Sequence, residues 1–118
     1  MWKLYDREPE RNWTQGRVTL LGDAAHPTFN YMAQGACMAL EDAVNLADVV
    51  AASRDFPEAF AAYQEGRYVR TARVQITSRL YGDHYHASGV AAEVRNQTLG
   101  KLSVPELYDH LAWLYDGI

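Results

Sequence analysis

The run GDAAHPTFNYMAQGACMALEDAVNL, residues 22–46, decides how this chain is read. It follows Arg17-Val18-Thr19-Leu20-Leu21, a β-rich, largely apolar stretch predicted as a strand buried on both faces, as in the interior of a larger sheet. Gly22 ends that strand, and without a side chain it lets a ligand approach the backbone. Asp23 then sits at the strand's carboxyl end, where α/β sheets place their ligands, and its carboxylate can accept hydrogen bonds from sugar-like hydroxyls. About ten residues later Gln34-Gly35-Ala36-Cys37 opens a long helix. The first amides of a helix lack an internal partner and carry the positive end of its dipole, so they suit an electron-rich or anionic group. Gly35 and Ala36 are small enough for a flat ligand to lie on that helix start.

Working outward, the helix is predicted from about Ala33 to Ala52, with Ala36, Leu40, Ala43, Val44, Ala47 and Val50 forming one apolar stripe at three- and four-residue steps. Glu41, Asp42, Asn45 and Asp48 fall largely off it. Asp55-Phe56-Pro57-Glu58 has the pattern of a second helix start. That helix is expected to run to about Tyr81, with Arg67, Arg70, Arg73 and Arg79 mostly on its outer side. Gly66 inside it costs roughly 1 kcal/mol against Ala and invites a bend. Trp2 to Asp6 reads as a short strand, Tyr81 to Ala92 has no clear period, and Ser103-Val104-Pro105-Glu106 has capping-box spacing for a last helix over Val104 to Leu114. The expected class is therefore α/β: mostly helical, with one or two strands belonging to a larger sheet that this sequence does not itself supply.

The 118 residues allow one domain at most, and 48% hydrophobic with 22% charged residues is ordinary for a globular protein. A net charge of −4 argues against a nucleic-acid partner. No apolar run approaches the roughly 18 residues of a membrane span. Cys37 is the only cysteine, so no internal disulfide forms and the cytoplasm is the expected compartment.

Gly22-Asp23-Ala24-Ala25-His26-Pro27, followed by Gln34-Gly35-Ala36 and Glu41-Asp42-Ala43, resembles the second flavin motif of the single-component, FAD-dependent aromatic-ring hydroxylases. The resemblance covers nearly the whole chain. It implies that Asp23, reached through Gly22, hydrogen-bonds a ribityl hydroxyl of FAD. It implies that the amides of Gly35, Ala36 and Cys37 approach the pyrimidine edge of the isoalloxazine, and that Pro27 shapes the ring pocket. The segments Leu4 to Pro9, Ala33 to Met38, Thr77 to Tyr81 and Trp113 to Ile118 look most like the branch acting on 3-hydroxybenzoate. The implied chemistry is hydroxylation of a small aromatic acid, 3-hydroxybenzoate giving gentisate, with NADH and O₂ as co-substrates. Asn30 and Tyr31 are the substrate-facing candidates; family members carry Gln before that Tyr, and Asn30 keeps the amide while shortening its reach by a methylene. No catalytic residue is assigned, and the base that activates the phenol is expected upstream. A salicylate hydroxylase is the nearest rival within the class.

The sequence has no Gly-x-Gly-x-x-Gly after a strand, and Asp116-Gly117 is misplaced for the family's middle motif. Residues 1–118 are thus expected to form a partial FAD-binding domain without its dinucleotide-binding half, with Met1 an internal residue and no turnover by the chain alone. The rival from another class is a non-catalytic helical module binding a partner through its aromatics and strand edges. The remaining signals read as structural. His26 is expected to be a loop histidine, Cys37 a buried small hydrophobe, Asp42 structural, and Glu41 solvated or capping. His84-x-His86 with Asp83 lacks a completing ligand at metal-site spacing, so no metal is expected. Tyr108 to Tyr115 reads as a packing or homodimer surface.

Overall fold

The computed structural model describes residues 3–116. The chain divides into two compact units, one ending at Gly82 and one beginning at Asp83. The first unit opens with an irregular segment to Asn12, where a strand over Trp2–Asp6 is expected; residues 3–6 have no regular structure, and Trp2 lies outside the described residues. A hairpin follows. Strand β1 (Thr14–Gln15) pairs antiparallel with β2 (Val18–Thr19), Thr14 opposite Thr19 and Gln15 opposite Val18. Gly16 turns the chain at φ +58, a left-handed conformation that glycine adopts without strain. Leu20 N–H extends the ladder to Trp13 O at 2.9 Å.

The strand predicted as buried on both faces is therefore a short hairpin arm, and Val18 is 66% exposed. Its apolar composition suits a buried strand, and among the described residues it pairs with its own neighbour across the Gly16 turn.

Two 3₁₀ turns, at Gly22–Ala24 and Asn30–Met32, lead into α1 (Gly35–Ala52). The long helix α2 (Phe56–Tyr85) starts where Asp55 Oδ1 accepts the Glu58 N–H at 3.0 Å. It continues through Gly66 and runs past the predicted end. The apolar core of this unit is small: Trp13, Ala25 and Tyr63, flanked by Leu20, Leu46, Val49 and Tyr68. Met38, Ala59, Ala72 and Val74 are buried as well, beside polar side chains. Arg67, Thr71, Gln75 and Ser78 line a buried stripe of α2, at the i, i+4 and i+3 steps that share a helix face.

The helix faces are not arranged with hydrocarbon inside and charge outside. The apolar stripe of α1 is exposed: Leu40 is 70% and Val44 64% accessible, and Ala36, Ala43, Ala47 and Val50 are exposed as well. The arginines of α2 divide: Arg73 is exposed, and the others pair with acids. Arg67 is buried, and Arg70 and Arg79 are half-buried in ion pairs. Amphipathic period fixes which residues share a face but not which face turns inward, and here the carboxylates of α1 pull the guanidinium groups of α2 inside.

The second unit contains α3 (Gly89–Leu99) and α4 (Val104–Tyr115). No helix was expected at α3, whose sequence carries no apolar stripe. Helix α4 has the predicted capping box: Ser103 Oγ accepts the Glu106 N–H, and Glu106 Oε2 accepts the Ser103 N–H at 2.7 Å. That backbone N–H, together with the Ser103 hydroxyl, holds the Glu106 carboxyl below its ordinary pKa. The end of the segment Trp113 to Ile118, with Gly117, lies outside the described residues.

Candidate functional site

The quoted run folds into a loop and a helix start facing each other. Gly22 adopts φ +61, and a side chain there would press on Ala39 Cβ at 3.2 Å, so the 3₁₀ turn sits directly against α1. Asp23 projects from this turn, exposed, and its Oδ1 lies 3.8 Å from where a Cβ on Gly35 would be. Thr28 Cγ2 approaches the same point at 3.6 Å. Within α1 the first backbone bond is Met38 N–H to Gln34 O at 2.9 Å, and Gln34 makes no side-chain cap. The amides of Gly35, Ala36 and Cys37 therefore have no intrahelical partner, next to an exposed carboxylate. Asp23, Gly35, Ala36 and Cys37 are brought together as the sequence suggested. Cys37 is exposed, not buried; the first turn of α1 turns its small residues outward.

Behind this surface lies a buried charge network. Asp42 is fully buried and accepts three hydrogen bonds: from Gly22 N–H at 3.1 Å, His26 Nε2 at 2.5 Å and Arg67 Nε at 2.7 Å. Burial alone would raise the Asp42 pKa, but the bonds from His26 and Arg67 and the charge of His26 outweigh it, and the net shift is downward. An ionised carboxylate can only accept, so His26 Nε2 carries the proton. His26 is a structural loop histidine, as expected, its ring tilted against Trp13 with centroids 5.5 Å apart. Glu41 is neither solvated nor capping. It accepts two bonds from Arg70, at 2.6 and 2.8 Å, and pairs with Arg67 at 2.7 Å. Burial raises its pKa, and the two guanidinium groups bring it below the ordinary value. The Tyr63 phenol is pushed up, first by burial and then by the Asp42 carboxylate beside it.

The loop from Ala24 to Met32 is held from outside itself. Arg7 Nη2 donates to Ala24 O at 2.9 Å and Ala25 O at 2.8 Å. Gln75 donates to both Arg7 O, at 3.0 Å, and Pro27 O, at 2.9 Å. Ser78 donates to Phe29 O at 2.6 Å. Pro27 is half-buried, Asn30 is exposed, and the Tyr31 ring packs edge-on to Phe29 at 5.9 Å. Sequence reasoning did not single out Arg7, Thr28, Gln75 or Ser78. The available signal was the run of uncharged polar and small residues at one helical face of α2, Thr71, Gln75, Ser78 and Gly82. Among the described residues no group of three His, Cys, Asp or Glu side chains is placed to hold a metal, and no helix is long and apolar enough to cross a membrane.

An uncapped helix start and an exposed carboxylate thus lie side by side at Gly35. Residues 2–78 match the FAD binding domain family, and the chain belongs to that family. It is 55% identical to the 3-hydroxybenzoate 6-hydroxylase of Polaromonas naphthalenivorans (strain CJ2), over 97% of this chain and 29% of that protein. It is 50% identical to 3-hydroxybenzoate 6-hydroxylase 2 of Aquipseudomonas alcaligenes, over 97% of this chain and 36% of that protein. The crystal structure of an HpxO variant from Klebsiella pneumoniae complexed with FAD superposes with a TM-score of 0.84 at 32% identity, covering 92% of this chain and 29% of that one. The chain thus spans about a third of the length of these relatives.

Proposed function

We propose that this chain forms the ring-side part of the FAD site of a flavin-dependent monooxygenase that hydroxylates 3-hydroxybenzoate to gentisate, with NADH and O₂ as co-substrates, in the cytoplasm. The observation that carries the reading is the pairing of the exposed Asp23 carboxylate with the unpartnered amides of Gly35, Ala36 and Cys37. The residues fit FAD. The carboxylate suits a ribityl hydroxyl, the amides suit the electron-rich pyrimidine edge, and Gly35 leaves space between them. Substrate assignment follows from the relatives at 50–55% identity.

When bound, FAD supplies the redox chemistry that activates O₂. The chain's own work is positional. Asp23, reached through the backbone of Gly22, would accept the ribityl hydroxyl. The first turn of α1 would fix the ring edge, Pro27 would shape the ring pocket, and Asn30 and Tyr31 would stand towards the aromatic acid. Excluding water around the ring belongs to the same surface. The pyrophosphate and adenine would be held by a dinucleotide-binding half, for which these 118 residues carry no Gly-x-Gly-x-x-Gly turn; residues 1–118 are a partial FAD-binding domain on this reading and do not turn over alone. The aromatic helix α4 is the surface we assign to a homodimer.

The test is Asp23→Ala in the complete monooxygenase, read by FAD titration of its apoprotein. Loss of a hydrogen bond to a charged acceptor is worth about 1.5–3 kcal/mol, so FAD affinity should drop at least tenfold, as each 1.4 kcal/mol is about tenfold. Unchanged affinity together with unchanged hydroxylation of 3-hydroxybenzoate would sink the reading.

A further inference from the structure

The loop that carries Thr28, Asn30 and Tyr31 does little to hold its own shape. Its 3₁₀ turn closes through Ala33 N–H to Asn30 O at 3.0 Å, with Ala33 at φ 54, a conformation that costs a non-glycine residue energy. The restraint comes from α2. Gln75 donates to Pro27 O at 2.9 Å, Ser78 to Phe29 O at 2.6 Å, and Gly82 makes room for the Tyr31 ring. A Cβ on Gly82 would meet Tyr31 Cε2 at 2.5 Å and Cδ2 at 2.8 Å, so the ring lies directly on the helix backbone. Gln75, Ser78 and Gly82 are all buried and fall at i, i+3 and i+7, on one face. Their partners advance along the loop by alternate residues, 27, 29 and 31.

We propose that this face of α2 is a positioning rail. By fixing residues 27, 29 and 31 from behind, it determines that Thr28 turns towards Gly35, that Asn30 is left exposed to meet the aromatic substrate, and that the Tyr31 ring, seated on Gly82 by its Cδ2–Cε2 edge, keeps its place towards that substrate. The proposal deepens the functional reading above and rests on it for the identity of the substrate. Gln75, Ser78 and Gly82 touch no reacting group; they act through the loop and are positioning residues. Gly82 is the sharpest probe. Alanine is the better helix former, so Gly82→Ala leaves α2 intact while forcing the Tyr31 ring out of its slot.

Three measurements on the complete monooxygenase decide the matter, and the hydrogen exchange does not need bound flavin. Amide hydrogen exchange over residues 28–33 should accelerate in Gly82→Ala and in Ser78→Ala; no change in either variant overturns the rail. The Kd for 3-hydroxybenzoate, read from perturbation of the flavin spectrum, should rise about tenfold in Gly82→Ala while FAD affinity changes less than about twofold, because small misplacements of a positioned group are costly. Equal losses for FAD and substrate would mark a merely structural role and overturn it. In a double-mutant cycle, Gly82→Ala should add nothing in a Tyr31→Ala background, where the ring it displaces is gone; full additivity overturns it. If the unsubstituted protein bound neither FAD nor 3-hydroxybenzoate, the functional reading would fail, and the exchange data would still decide the rail.

Discussion

The two faces of α1 are exchanged relative to a helix in an ordinary small globular domain. Met38 and Asp42 are buried and Glu41 nearly so, whereas Leu40, Val44, Ala47 and Val50 face solvent. The inner face spends its charges on one task. Asp42 ties the Gly22 amide and the His26 ring of the site loop to Arg67 of α2, and Glu41 ties α1 to Arg70. The geometry behind Asp23 and Gly35 is held by this network together with the apolar cluster of Trp13, Ala25 and Tyr63. The outer face holds the hydrocarbon that a self-contained domain would bury, and contiguous exposed apolar surface of this kind marks a contact region. The contrast teaches that in this unit polar groups specify the site and apolar groups await a neighbour.

The largest expected effect breaks the inner face. Asp42→Ala removes the common acceptor of Gly22 N–H, His26 and Arg67 and leaves a buried guanidinium with one partner fewer. Stranding a buried charge costs about 3–5 kcal/mol, a large share of the stability of a unit this small. The loss should appear as a lowered denaturation midpoint. Asp42→Asn should recover part of it, because the amide oxygen still accepts while the ion pair is gone. A midpoint unchanged in Asp42→Ala would show that the network does not support the fold.

Acid probes the same face without substitution. The carboxyls of Asp42 and Glu41 lie below their ordinary values: burial opposes the shift, and hydrogen bonds from His26 and Arg67 to Asp42, and from Arg70 and Arg67 to Glu41, outweigh it. A carboxylate depressed in the folded state contributes stability above its unfolded pKa, and that contribution is lost as pH falls through the folded value. Stability measured by urea denaturation should therefore decline as pH drops below about 4, the ordinary carboxylate range. Asp42→Asn should flatten the decline. An equally steep decline in that variant would assign the acid sensitivity to other carboxylates.

Legibility of the sequence follows the same divide. The helices with strong local signals were readable: α1 from its period, the start of α2 from Asp55 and Pro57, and α4 from the Ser103–Glu106 box. The juxtaposition of Asp23 with Gly35 was readable too, because a strand end, a loop and a helix start in that order leave few ways to fold. What stayed hidden depends on partners distant in sequence. Arg67 and Arg70 read as solvated or paired with acids, but nothing within one helical turn shows that the partners are Glu41 and Asp42 of α1. Gln75 is uncharged and weakly patterned, yet its amide joins Arg7 O to Pro27 O across 68 and 48 residues. The strand at Val18 obeys a related rule: its apolar composition records a buried environment, and among the described residues it pairs only with its hairpin neighbour.

The smallest expected effect tests the outer face. Leu40 is 70% exposed and Val44, one turn on, is 64% exposed. Replacing Leu40 by Gln keeps a good helix former and removes no buried contact, so the stability of this chain should shift by no more than about 0.5 kcal/mol. The informative outcome is a larger one. Fully burying a leucine is worth about 1.5–3 kcal/mol, so a loss of that size in Leu40→Gln would mean that the stripe is covered in solution. Repeating the denaturation at several protein concentrations would then separate the causes, because cover by a second copy makes the midpoint depend on concentration and cover within one chain does not. Either result would dissolve the contrast between the faces of α1, whereas a null effect at Leu40 beside a collapse at Asp42 would fix it.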